Sequence, residues 1–471
     1  ITKFEFDSAG NTKSITDANG NKISFEYDAN GNVVKSTNPV GNVASYTYDG
    51  LNNVLTEKDA SGNVTSYTYD CFSNKTSFTD AVKNKTTYTY DTAGNLIKSV
   101  DANGNVTTFE YDKRFNKVSK ITDAEGGVQN FAYDTMGNLV TETAVNGTKK
   151  TYVYNKMNRL VKSTDETGLT TTYTYDNNGN LLKTEDSAGR VSSYVYDNMD
   201  NLTSYTAPNG AVTQHKYDLV GNRITTINAN GGKTTYTYDA MGRVLTTKDP
   251  LGRVTKNEYD GMGNLLEFTT ENEGTMTYEY DALDRAKKVT DVLGNFTSYT
   301  YDKNGNLSVL SDVYGNKTQY EYNNRNLLTK VTDANGNSYS YTYDKNGNQT
   351  AIVAPDGSKT VMEYDGLNRL VKFTDAEGLV TTFEYSAKGQ LIAERDNTGS
   401  VALYTYDDAG RVATITNALK QTLSYTYDKY NNVASIKDYD GNTTKYVYDN
   451  VGNILSSTDA EGKTTTFTYD L

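Results

Sequence analysis

The chain has 471 residues, a formal net charge of −13 and a mean hydropathy of −0.69. The acidic balance argues against nucleic acid, which rewards clustered Lys and Arg, and no apolar run approaches the ~18 residues of a membrane-spanning helix. Low hydropathy with high charge also fits a disordered chain, but 41 Tyr and 13 Phe argue against disorder.

Taken in chain order, the first element to recur is an aromatic followed by Asp or a close variant. It falls at Phe6, Tyr27, Tyr48, Tyr69, Tyr90 and Tyr111, resumes after one 22-residue step at Tyr133, and returns every 21 residues to Tyr469. Tyr154, Tyr175, Tyr238, Tyr301, Tyr343, Tyr406 and Tyr448 are among these positions. The 23 sites override the prior of about three domains for this length, because such a period means a stacked array in which each unit depends on its neighbours. Residues 1–471 therefore read as a single array of about 22 repeats. The chain starts and stops part-way through a repeat and carries no signal peptide, so it is expected to be cut at both ends from a longer protein, with targeting information outside it.

The repeat from Tyr90 to Tyr111 holds two turn signals of the form D-x-x-G-N, residues 91–95 and 101–105. Asp91 and Asp101 are expected to cap their turns by accepting backbone N–H groups two or three residues on. Gly94 and Gly104 supply positive φ for a type I turn with a glycine bulge. Asp333 and Gly336 repeat the signal. Between the turns lie two segments rich in β-branched and aromatic residues, 96–100 and 106–111, which read as strands. Each repeat is thus a hairpin, and the fold class predicted is all-β. Continuous antiparallel hairpins should make about 45 strands, coiled by the natural twist of roughly 20° per strand into a spiral shell or solenoid.

Alternation assigns Thr107, Phe109 and Tyr111 to one face and Val106, Thr108 and Glu110 to the other. The aromatic two residues before the paired Tyr is kept at 20 of the 23 sites, with His215, Asn257 and Met362 as the exceptions. One face should therefore carry two aromatic rows and an aliphatic row, with tyrosine hydroxyls able to remain wet. The 22-residue step replaces the turn glycine by Phe115, and a β-bulge is expected to absorb its extra residue.

The phrase G-N-x-T-x-Y-x-Y-D-x-x-G-N-L, seen over residues 104–111 and 168–181, resembles the YD repeat of Rhs proteins. Bacterial wall-associated proteins, the C components of insecticidal toxin complexes and animal teneurins carry related arrays. Many enterobacterial members favour Arg where this chain has mostly Asn; Arg190, Arg243, Arg253 and Arg411 keep it. The Asn-rich form looks more like arrays of Gram-positive bacteria. The resemblance implies a β-sheet wound into a hollow shell, enclosing a toxin domain in bacteria and serving adhesion in teneurins. Two family parts are missing: a non-repetitive toxin domain and a self-cleaving core segment. The stretch from Asp249 through Pro250 and Leu251 to Gly252 sits in register as an ordinary turn.

Candidate chemistry is sparse. His215, the only histidine, stands in the aromatic row as a packing substitute, and Cys71, the only cysteine, lies on a turn, so no thiol or serine triad and no zinc site can be assembled. The turn aspartates could form acidic ladders for Ca²⁺, against the simpler reading that each caps its own turn. The tyrosine rows could stack on sugars, against a lining or core role. Paired carboxylates recur without a distinguished pair, unlike a glycosidase site. The leading reading is a secreted or surface-exposed bacterial protein, structural and non-enzymatic, without cofactor, whose coiled sheet encapsulates a toxin or cargo domain. Its partners are neighbouring repeats and other parts of the same chain. The alternative is a surface adhesin, stalk or extracellular filament, with cell-surface carbohydrate as partner.

Overall fold

The computed structural model describes residues 1–399 and 401–469; Asp470 of the last Tyr-Asp pair lies outside them. Forty-five strands, from Lys3–Phe6 to Thr464–Thr466, belong to one sheet, and no helix occurs among the described residues. The fold is all-β and built from antiparallel hairpins, as the period predicts. The chain divides into two compact units. One comprises Ile1–Thr107 with Thr237–Met362, the other Thr108–Tyr236 with the described residues from Glu363 onward.

Within the first unit, Lys85–Tyr90 pairs with Leu96–Val100 across the Tyr-Asp turn. Leu96 faces Tyr90 but Lys98 faces Thr89, so Ile97 is an extra residue. The same shift recurs after Tyr-Asp turns in both units, for example beside Tyr27 and Tyr175. A bulge of this kind resets the two-residue alternation. It places Leu96 and Ser99 on the tyrosine face and Lys98 on the other.

Neither unit has a closed apolar core. Among the described residues the buried apolar side chains are Ala188, Ala351 and Ala393, and the buried polar ones Ser14, Ser77, Ser192 and Thr225. Five of these seven occupy the third position of the strand after the bulge, on the face opposite the tyrosines. Ser77, for instance, lies between Thr68 and Thr87 on the flanking strands. Elsewhere this position is Lys paired with a cross-strand Glu, as in Lys35–Glu26 at 2.7 Å and Lys372–Glu363 at 2.7 Å, or Thr bonded to Thr, as in Thr47–Thr56 at 2.6 Å. Such cross-strand pairs stabilise a sheet by roughly 0.2–1 kcal/mol each. The array is held by ladders and cross-strand pairs repeated many times, not by a packed interior.

The extra residue of the 22-residue step sits in the turn, not in a strand bulge of its own as expected. Asp112 pairs with Lys117, four residues close the loop, and Asn116 takes the left-handed conformation (φ 56°). A longer loop accommodates the residue without disturbing the ladder on either side.

Candidate functional site

The turn signal is a clasp made by both ends of the five-residue motif. The Asp91 Oδ1 accepts N–H bonds from Ala93 and Asn95, both at 2.9 Å, so its reach is two and four residues rather than two or three. The backbone closes the turn with Gly94 N–H to Asp91 O at 3.1 Å and Asp91 N–H to Asn95 O at 2.9 Å. Gly94 has φ 84°, which a glycine adopts at no steric cost. Asn95 is no passive turn residue: its Nδ2 donates to Asp91 Oδ2 at 3.0 Å. Asp101 with Asn105 and Asp333 with Asn337 repeat the geometry, with Gly104 at φ 95° and Gly336 at φ 84°. Asp91 and Asp101 lie on opposite edges of the sheet, since one strand separates them. The side-chain amide of Asn95, and then the backbone N–H groups, hold the Asp91 carboxyl below the usual range; Asn337 does the same for Asp333.

This clasp commits both oxygens of the carboxylate to three N–H donors. Among the described residues no group of three or more His, Cys, Asp or Glu side chains is gathered for a metal.

The clasp also accounts for Arg in place of Asn. Arg243 Nε donates to Asp239 Oδ2 at 2.6 Å, taking over the amide's bond, while Nη1 reaches Asp260 O at 2.9 Å and the guanidinium lies 4.8 Å from the Tyr259 ring centre. Arg285 over Tyr301 and Arg369 over Tyr385, both at 4.3 Å, and Arg411 over Tyr427 at 4.2 Å repeat the stack. Arg285 and Arg369 escaped the sequence reading because Asp284 and Asn368 stand where the glycine usually precedes them. The fifth position of the turn was the signal that could have found them.

The hydroxyls of the paired tyrosines have fixed backbone partners. Tyr27 donates to Thr12 O at 2.8 Å, Tyr48 to Val33 O at 2.7 Å, Tyr90 to Lys75 O at 2.9 Å and Tyr133 to Val118 O at 2.7 Å. Tyr175, Tyr301, Tyr343, Tyr406 and Tyr448 do the same, each to the carbonyl fifteen residues back. That carbonyl belongs to the residue just before the bulge of the preceding repeat, where the ladder is interrupted. The ring therefore packs on one repeat while its hydroxyl ties the repeat to the one before. Tyr69, Tyr111 and Tyr238 stand half-buried at the same register position. Burial raises the phenol pKa of Tyr48, Tyr90 and Tyr343. His215 sits in the second aromatic row, edge-on to Tyr217 and bonded through Nδ1 to Thr226 Oγ1 at 3.2 Å; burial, and then Arg223, lower its pKa. Cys71 is exposed on its turn.

The bulge brings carboxylates onto the tyrosine face, which alternation in the aromatic strand did not reveal. Glu57 lies opposite Tyr46, Glu142 opposite Phe131 and Glu394 opposite Phe383. Tyr404 donates to Glu394 Oε1 at 3.0 Å, and burial together with that carboxylate pushes its phenol up to about 12.

Within each unit, turns 241 to 245 residues apart also meet edge to edge. In the first unit Asn19 Nδ2 donates to Asp260 Oδ2 at 3.0 Å, Asn304 Nδ2 to Asp59 Oδ2 at 2.9 Å and Asn346 Nδ2 to Asp101 Oδ2 at 2.7 Å. Arg325 and Asp80 form an ion pair at 3.0 Å with both side chains largely buried. In the second unit Lys429 Nζ and the Tyr430 hydroxyl converge on Ala188 O at 2.9 and 3.0 Å, and Arg190 stacks 4.8 Å from the Tyr430 ring. Period alone gave no sign of this lap, because every repeat carries the same turns.

Hairpins closed by Asp–Asn clasps and tied by tyrosine hydroxyls define a structural repeat protein of the YD class. The teneurin YD-shell family model matches residues 52–207, 156–319 and 312–471, and the RHS repeat model matches 6–43 and 27–64. The chain belongs to the teneurin YD-shell family. A comparison with curated protein sequences gives no match. Among solved structures, the chain resembles TcdB2-TccC3 with a TM-score of 0.74 at 14% identity, over 99% of this chain and 34% of that one. It resembles TcdB2-TccC3 without its hypervariable C-terminal region at 0.66 and 14%, over 99% and 36% of the two chains. The Photorhabdus luminescens Tc holotoxin pore gives 0.54 at 14%, over 98% and 29%. The chain thus spans about a third of the length of these structures, and at this identity the likeness is one of fold.

Proposed function

We propose that this chain is part of the wall of a β-sheet shell that encloses a toxin or cargo domain, that it belongs as one array to a longer, secreted or surface-exposed bacterial protein, and that it works without catalysis. The observation that carries this reading is the match of nearly the whole chain to the TcdB2-TccC3 fold. The clasps add support, since a wall must hold its shape without a packed core. In this role the repeat tyrosines and the turn residues Asp91, Gly94, Asp101, Gly104, Asp333 and Gly336 are structural. Electron microscopy of the full-length protein tests the proposal, together with limited proteolysis. The expected result is density for a further domain inside the sheet and protection of that domain from protease. An interior too narrow for any folded domain would overturn it.

A second reading, a surface adhesin, stalk or filament, draws support from large apolar residues exposed on turns, such as Leu293 and Tyr314. Binding to cell-surface carbohydrate through the tyrosine rows belongs to this reading. Retention of the purified chain on intact cells, abolished by glycosidase treatment of those cells, would favour it over the shell.

A further inference from the structure

In each Tyr-Asp hairpin the second-row aromatic faces one residue of the strand that follows the turn. That residue varies: Ser99 faces Tyr88, Thr184 faces Tyr173, Leu310 faces Tyr299 and Phe78 faces Tyr67. Tyr205 is the only tyrosine at this position in any repeat. Leu202–Thr206 pairs with Val191–Tyr196 so that Tyr205 stands directly opposite Tyr194. Both rings are half-buried on the tyrosine face of the second unit, with centroids 5.2 Å apart and planes inclined by 38°. Directly opposed residues are the closest cross-strand neighbours a sheet offers, and this separation is at the short end of aromatic contacts. Tyr446 and Tyr448, neighbours along one strand, stand 6.5 Å apart.

We infer that Tyr194 and Tyr205 form a site of oxidative cross-linking, whose oxidant is hydrogen peroxide acting through a haem peroxidase. Each phenol gives up one electron and its hydroxyl proton, and the peroxide takes both electrons and both protons to become two water molecules. The two phenoxyl radicals couple through a new bond between the ring carbons next to their hydroxyl-bearing carbons. The hydrogen on each of those carbons then passes by way of solvent to the oxygen, restoring both phenols. The chain has 41 tyrosines, and what sets this pair apart is that its two rings are held together before either is oxidised, so that the radicals meet without diffusion. The link closes a covalent loop around the turn at 197–201, and such loops stabilise a fold by constraining the unfolded chain. A shell wall and a stalk would be hardened alike, so the inference rests on neither reading.

The test treats the dilute 471-residue chain with a haem peroxidase and hydrogen peroxide, then isolates the monomer. Digestion at Asp197 and Asp200 leaves the two tyrosines on separate peptides unless a bond joins them. The expected product is a joined peptide pair, lighter by two hydrogens than its parts, with the link placed at Tyr194 and Tyr205 by fragmentation. Tyr205→Phe should lose that pair and most of the dityrosine fluorescence of the monomer, while its circular dichroism matches the parent, since Phe78 fills the same position in another repeat. Phe78→Tyr, which sets a tyrosine against Tyr67 at a ring separation of 5.8 Å, should gain a second joined pair. A parent monomer in which the link between Tyr194 and Tyr205 is absent, or no more abundant than one between Tyr446 and Tyr448, overturns the inference. So does monomer fluorescence that is unchanged in Tyr205→Phe, or a Phe78→Tyr chain that gains no link.

Discussion

At the level of single residues the D-x-x-G-N turn is a division of labour. Asp supplies both carboxylate oxygens, Asn or Arg supplies the donor that occupies the second, and the fourth residue supplies the left-handed backbone. That last demand persists where glycine is absent: Lys83 has φ 71°, Ser73 φ 64° and Lys420 φ 63°. A side chain in this region costs roughly 1–2 kcal/mol, offset in part by the greater freedom glycine has when unfolded. Lys83→Gly should therefore stabilise the chain by up to about 1 kcal/mol, and Gly94→Ala should destabilise it by about 1 kcal/mol. A Cβ at Gly94 would meet only Asn74 Oδ1 at 3.6 Å, an ordinary contact, so the second effect is one of backbone rather than clash. Denaturant midpoints of the two variants check both signs. The pH dependence follows from the same groups. Turn carboxyls such as those of Asp91 and Asp333 have folded pKa values below the ordinary 3.8. Their contribution is present above that value and is lost as pH falls through their lowered ones. Tyrosines such as Tyr48 and Tyr90 have folded values above the ordinary 10.0. Their contribution is present below 10.0 and is lost as pH rises toward the raised ones. Thermal midpoints should be flat between about pH 7 and about pH 9, decline slightly below the ordinary histidine value of 6.5, where the lowered pKa of His215 disfavours its protonation in the fold, and fall further at both extremes. A midpoint that rose as pH fell through the histidine range would contradict this.

At the level of the hairpin, what sequence could and could not reveal depends on which interaction is local. Turns and strands were legible because Asp, Gly and β-branched runs act within five or six residues. The faces of the aromatic strand were legible from alternation, down to the half-buried Phe109 and Tyr111 against the exposed Glu110. The bulge after each Tyr-Asp turn was not legible, because an extra residue leaves no compositional mark and shifts the count that assigns the next strand. Three consequences were hidden with it: the interrupted carbonyl that the tyrosine hydroxyl meets, the small buried residue on the opposite face, and the carboxylates of Glu57, Glu142 and Glu394 on the tyrosine face. Glu394 offers a direct check. Glu394→Gln keeps the size of the side chain and removes the charge that disfavours the tyrosinate at Tyr404. The Tyr404 phenol should then titrate below its present value of about 12, Tyr385, which the same charge also raises, should move less in the same direction, and tyrosines remote from Glu394 should stay where they were. Ultraviolet difference titration of variant against parent reads that change. An unaltered curve would mean that the bond between Tyr404 and Glu394 is not maintained in solution.

At the level of the whole molecule, a repeat protein is ordinarily a one-dimensional system in which stability is a sum over nearest neighbours. The laps inside each unit add a second kind of neighbour, about 240 residues away, and so couple turns that no hairpin connects. Arg325 and Asp80 make the sharpest probe, because their side chains retain only 18% and 13% of their exposure. Removing one partner leaves the other charge largely out of water, so Arg325→Ala should cost about 1–3 kcal/mol. Purely local repeats would confine the damage to turn 323–327 and its adjoining strands. Coupled turns should also show faster amide exchange at residues 80–84, while the adjoining turn at 91–95, which the pair does not touch, keeps its protection. Hydrogen exchange resolved by peptide distinguishes the two outcomes. Faster exchange at 323–327 alone would reduce the lap to a contact without energetic weight. Faster exchange at both turns would make the lap, together with the tyrosine tie between successive repeats, the means by which a sheet with almost no buried apolar side chains holds together.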